Sequence, residues 1–354
     1  MSALKYLLLS GLVAFNGLVF VSASNTEKKD KVVQPGTNIV QEVSVAGPQT
    51  EEEAEIKTRV SATDSILLNN DILAFYGHPV AKNMGILGRY PKEELEKKLT
   101  DLANEYKAES GGRNIKKAFY IIYATAQGKP RIPLLDSEGN EVKDDKGNVK
   151  KVEVDFKSPS QSVLTIDQIN KALLTSWIEW AQERDMLIFL DHQIGLLDPV
   201  ESLKTMFKYL KYPNVHLALD PEWRTAKPMK EFGSVSAEEI NAAQEAMQNY
   251  MTENNIQGER MLVIHQFREV MIKNRKNVKS DFEHVRLVHC MDGVGTPAEK
   301  LDTYKFNAQA TNMPIKAFKL FYDFKLPGVL VDTPLLTPKQ VYSLNPRPYI
   351  IMYQ

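Results

Sequence analysis

The residues best suited to chemistry in this 354-residue chain lie in one stretch, Leu217-Ala218-Leu219-Asp220-Pro221-Glu222-Trp223-Arg224. An apolar run ends there in two carboxylates, a tryptophan and an arginine. Asp220 and Glu222 are two positions apart, so in an extended chain both project to the same side. Pro221 disfavours helical geometry at Asp220. Neighbouring carboxylates resist ionising together, so one of them keeps its proton towards neutral pH. Glycoside hydrolysis uses such a division of labour: one carboxyl protonates the leaving oxygen, while another supports positive charge or activates a nucleophile. Trp223 offers a stacking face for a sugar ring, and Arg224 a fork that fixes a carboxylate or orients Glu222. The structural alternative is a capping Asp220, a Glu222–Arg224 ion pair and a tryptophan that fills space.

The same layout, an apolar run followed by a polar cluster and then a helical pattern, recurs along the chain. Strands are expected at Ile72 to Tyr76, Ala118 to Thr125, Met186 to Leu190, in the opening stretch, and at Met261 to Ile264, Val285 to Val288, Ala317 to Phe321 and Tyr349 to Tyr353. Apolar periodicity and capping patterns place helices at Pro91 to Lys107, Thr165 to Arg184, Pro199 to Lys211, Ser236 to about Glu253, Phe267 to Asn277, Pro297 to Ala310 and Pro338 to Leu344. Strands that alternate with helices and read as nearly continuous apolar runs indicate a parallel sheet covered on both faces. The number and rhythm of the units are those of an α/β fold of the single (β/α)8 TIM-barrel type. A doubly wound open sheet is the competing architecture, but no G-x-G-x-x-G follows the first strand. Residues 129–157 interrupt the rhythm with two turn-forming clusters, and a small β-excursion after the second strand is expected there.

In such a barrel the C-terminal ends of the strands surround one site. That brings together Asp191, Asp220, Glu222, Asp292 and Asp323 as candidate catalytic carboxylates. Tyr76, His78, His192, Trp223, Arg224, His265, Gln266, Arg268, His289, Tyr322 and Gln354 are the candidate binding residues. Lys319, in the seventh strand, has the parity to point inward and neutralise a carboxylate. Taken singly, a strand-end Asp is usually a cap and a strand His a hydrogen-bonded core residue; the case rests on their joint placement. Cys290, next to His289, reads as a small apolar filler rather than a nucleophile.

The D-x-E at the fourth strand resembles the chitinase-like glycoside hydrolases. The resemblance implies an acid role for Glu222 and a substrate-positioning role for Asp220. The chain departs from that family at Ala218, where a further aspartate is expected, and at Pro221. The set Tyr76-Gly77-His78-Pro79, Leu219-Asp220-Pro221-Glu222-Trp223 and His265-Gln266-Phe267-Arg268 resembles a group of exported bacterial proteins, many of them lipoproteins, without an assigned activity.

Two other classes stay open. His265 and His289, at the ends of the fifth and sixth strands, resemble the layout of amidohydrolase barrels, which implies zinc held with Asp191 or Asp323; His78 and His265 also suit phosphodiester cleavage. The third class is glycan or protein binding without turnover. The main expectation needs no cofactor.

Composition narrows the partners. A net charge of −1 argues against nucleic acid held by bulk electrostatics, and 43% hydrophobic residues suffice for a large core. Lys5, the apolar run from Tyr6 to Phe20 and Val21-Ser22-Ala23 read as a signal peptide over residues 1–23. An uncleaved anchor is the alternative. A polar spacer follows over 24–65 and the barrel over 66–354. The expected protein is exported, periplasmic, at the cell surface or secreted. It has no stable membrane insertion after cleavage and takes an envelope or extracellular polysaccharide as partner. Its one cysteine forms no intramolecular disulfide.

Overall fold

A computed structural model describes residues 65–127, 131–133, 142–144, 150–153, 165–227, 231–326 and 329–354. The expected signal peptide and all but the last residue of the expected spacer lie outside them. Among the described residues, no helix is long and apolar enough to cross a membrane.

Eight strands form the barrel: β1 (Asn70–Gly77), β2 (Asn114–Gln127), β3 (Leu187–Gln193), β4 (Val215–Asp220), β5 (Arg260–His265), β6 (Val285–Met291), β7 (Ile315–Leu320) and β8 (Ile350–Tyr353). Each pairs in parallel with its neighbours, and β1 pairs with both β2 and β8, which closes the ring. The helices are α1 (Lys92–Glu109), α2 (Lys171–Gln182), α3 (Pro199–Phe207), α4 (Ala237–Glu253), α5 (Pro297–Ala308) and α6 (Pro338–Tyr342). The fold is the (β/α)8 barrel that the alternating pattern predicts.

Strand parity divides the core in two. Leu73, Phe119, Leu190, Leu217, Leu262 and Leu287 face outward and pack under the helices. Ile72, Ala118, Phe189, Ala218, Val263 and Ala317 fill the interior. At the closure, buried Asp71 of β1 accepts from Arg113 at 2.8 Å, just before β2, and from Arg347 at 2.6 Å, just before β8. At the N-terminal strand ends, Asn214 and Arg260 are buried and donate to backbone carbonyls of Ile178, Met186 and Leu210.

Local chemistry accounts for the elements. The capping box at Ser236 is made as the sequence predicts: Glu239 N donates to Ser236 Oγ at 3.2 Å and Ser236 N to Glu239 Oε2 at 2.8 Å. Two expected helices differ. In the stretch read as a helix from Thr165, Thr165–Gln168 is a strand antiparallel to the end of β2; the helix begins later, where Asn170 accepts from Leu173 N. The stretch from Phe267 to Asn277 is two 3₁₀ turns, Glu269–Met271 and Arg275–Asn277, around Ile272–Lys273, which pairs with Val235–Ser236. Asn274 takes a left-handed conformation (φ 54°) that breaks the periodic pattern. In the β-excursion, Arg131–Pro133 and Lys151–Glu153 pair antiparallel; the turn clusters expected between them lie largely outside the described residues.

Candidate active site

The inward parity of β3, β4, β5 and β7 carries Asp191, Asp220, His265 and Lys319 to the C-terminal mouth. Asp292 follows directly after β6, and Glu222 lies in a 3₁₀ turn, Pro221–Trp223, after β4. The loop beyond that turn folds back on it: Gly233 N donates to Glu222 O at 2.7 Å. A Cβ at Gly233 would sit 2.4 Å from Arg224 N, so only glycine allows this approach.

His265 is the centre of the cluster. Its Nε2 lies 2.8 Å from Tyr120 Oη and its Nδ1 3.0 Å from Asp292 Oδ2. Burial, followed by the Asp191 charge, pushes the Tyr120 phenol well up, so it stays protonated. The hydrogen-bond network therefore assigns Tyr120 as donor to Nε2 and Nδ1–H as donor to Asp292. Tyr76, raised by the same causes, donates to Asp191 Oδ2 at 2.8 Å. Lys319 Nζ sits 3.6 Å from the centroid of the Tyr76 ring, a cation–π contact inside the barrel.

The carboxylates crowd one another. Single oxygens of Asp220, Glu222 and Asp292 lie within 4.8 Å of one another, as do ligand atoms of Asp191, Asp220 and His265. Burial, then Asp191 and Glu222, holds the Asp220 carboxyl well above the usual range; burial, then Asp292, does the same for Glu222. Lys319 opposes both shifts and does not cancel them. Oδ1 of Asp191, Oδ1 of Asp292 and Oε2 of Glu222 are buried without a hydrogen-bond partner among the described residues. Unsatisfied buried oxygens of this kind are costly.

The sequence-predicted residues separate into two groups. Asp191, Asp220, Glu222, Asp292, Tyr76 and His265 come together. Asp323 does not: β7 ends at Leu320, its parity lapses, and Asp323 is exposed and paired with Lys325. His289 and His192 have the opposite parity and face outward. His289 bonds Gln266 Oε1 at 2.9 Å and Lys316 Nζ at 3.3 Å; His192 bonds Gln193 O. Gln266 braces that same outer layer and also accepts from Arg275. Arg224 pairs with Glu239 at the start of α4 rather than with Glu222. Trp223 is buried against Ala126 and Leu196. Tyr322 packs on Tyr353 and Phe75 outside the barrel wall, and Arg268 lies exposed over Phe232. His78 accepts from Val80 N in the loop after β1, and Gln354 is buried at the end of the chain. A zinc site built on His265 with His289 and Asp323 is therefore not assembled.

The chain matches no protein-family model and no curated protein. The chitinase-like and exported-protein resemblances rest on their own residues alone.

The sequence does not single out Tyr120. Yet β1 and β2 align Tyr76 with Tyr120, so one register places both phenols on the inner face. In Ala118-Phe119-Tyr120-Ile121-Ile122-Tyr123, however, every position is apolar or aromatic, and the sequence offers no polar alternation to tell the two faces apart.

Behind the site, buried Lys300 of α5 donates to Gly293 O and Lys319 O, both at 2.7 Å, and pairs with Asp332 at 2.9 Å. One side chain thus anchors the backbone beside Asp292 and at Lys319.

Proposed function

We propose that this barrel is a glycoside-hydrolase-type enzyme of the cell envelope or extracellular space, in which Glu222 protonates the leaving oxygen and Asp292 is the second carboxylate. The observation that carries the reading is the close set of Asp220, Glu222 and Asp292 at the barrel mouth, with an unpartnered oxygen on both Glu222 and Asp292. Glu222 is the half-buried member of the set, on a turn beyond the strand end, although its Oε2 is itself buried. Asp292 is oriented by His265, and Asp220 lies deeper, beside both. The export reading of residues 1–23 supports a polysaccharide of the envelope as substrate.

Oxygens within 4.8 Å leave less room than the roughly 6.5–9.5 Å between carboxyls that lets an inverting enzyme place its water. Retention of anomeric configuration is the expected outcome, read by proton NMR of the first product. The decisive test offers chitin oligomers, peptidoglycan and neutral glycans to the purified protein and measures reducing-end release. Glu222→Gln is expected to lower turnover by about 10²–10⁴-fold, the usual contribution of a general acid. Release that persists unchanged in Glu222→Gln removes Glu222 from the role, and tight glycan retention without any turnover makes the barrel a binding protein.

A further inference from the structure

We infer that Asp191, Asp220 and His265 form a binding site for one divalent transition-metal cation at the floor of the barrel mouth. The site goes beyond the proposed hydrolase and does not depend on it: Glu222 and Asp292 are not among its ligands, although it shares Asp220 with that set and His265 bonds Asp292.

Three strands, β3, β4 and β5, deliver the ligand atoms within 4.8 Å of one another. His265 Nε2 stands 3.8 Å from Asp191 Oδ2 and 3.7 Å from Asp220 Oδ1, too far for hydrogen bonds and suited to atoms that share a central partner. A second, independent observation points to a ligand: Asp191 is 1% exposed, yet its Oδ1 has no partner among the described residues. The surroundings match what metal-bound imidazoles require. Nδ1–H of His265 donates to Asp292, the carboxylate–histidine arrangement that turns the Nε2 lone pair towards a metal and strengthens it as a donor. Tyr76 holds Asp191 in the same way. One imidazole and two carboxylates suit zinc or manganese; calcium and magnesium favour all-oxygen shells. Tyr120 competes, because its hydroxyl occupies Nε2 and has to turn away when a cation binds, and the Lys319 charge that acts on Asp220 opposes a second cation.

The test is titration calorimetry of the metal-stripped full chain with Zn²⁺ and, separately, with Ca²⁺. One equivalent of Zn²⁺ and no stoichiometric Ca²⁺ are expected. Asp191→Asn and His265→Gln should abolish Zn²⁺ binding, and Glu222→Gln should retain it. Tyr120→Phe, which removes the competing hydrogen bond without touching a ligand, should bind Zn²⁺ about fivefold more tightly. Absence of a stoichiometric Zn²⁺ site, its survival in both ligand variants, or unchanged or weaker affinity in Tyr120→Phe would overturn the inference; the last also decides the matter should the ligand variants not fold. Glycan turnover without Zn²⁺ binding would refute this site alone, and Zn²⁺ binding without turnover would refute the hydrolase alone.

Discussion

Lys300→Met is expected to lower the unfolding free energy by about 3–5 kcal/mol, the range for removing one partner of a buried ion pair. Asp332 would then keep its backbone donors, Gly295 N at 3.0 Å and Phe321 N at 2.9 Å, but lose its only salt-bridge partner among the described residues. Gly293 O and Lys319 O would lose their donor as well. Burial, the largest influence on each, pulls Lys300 down and Asp332 up, so desolvation outweighs the mutual attraction of the pair. An apolar replacement of both residues should therefore be less damaging than either single change, and denaturant unfolding of Lys300→Met, Asp332→Leu and the double variant tests this. If the pair also positions Asp292 and Lys319, the double variant will recover stability but not turnover. Recovery of both would reduce Lys300 to a purely structural role.

Acidification is expected to destabilise the protein through histidines buried in the neutral form. Burial pushes His192 down to about 4 and holds His216 and His289 well below their usual value; Arg260 adds to the effect at His216, and Lys316 and Arg275 at His289. The unfolded chain takes up these protons near pH 6.5, while the native state refuses them, so stability is fully present above about 6.5 and falls as the pH drops. For His192 the loss continues to about pH 4 and amounts to roughly 3 kcal/mol. Asp220, Glu222 and Asp332 are raised and act with the opposite sign, since their native forms gain protons before the unfolded chain does. The difference between wild type and His192→Gln isolates the contribution of His192. It should be flat above pH 7 and close as the pH approaches 4, measured by urea unfolding at each pH. A constant difference across that range would refute the buried neutral imidazole.

The architecture was legible because buried parallel strands are written as short apolar runs with helical patterns between them. Asp191, Asp220 and Asp292 were legible because each ends such a run. Register and parity were not. His192 and His289 are each one residue from an inward position, and a period of two sends them to the helix layer. Asp323 has the parity of Lys319, but parity has meaning only while the strand lasts, and β7 stops at Leu320. Arg224 stands two residues from Glu222 yet pairs with Glu239, because the turn after β4 brings the start of α4 closer than its own neighbour.

By itself, the sequence determined the barrel, the strand ends that bear acids, and the capping box that starts α4, all of which follow from local periodicity and composition. Tertiary structure alone decided that Tyr120 and Asp292 grip opposite nitrogens of His265, and that Asp220 meets Asp191. The two contacts to His265 join residues 145 and 27 positions apart, and only closure of the ring brings such distant segments to one point.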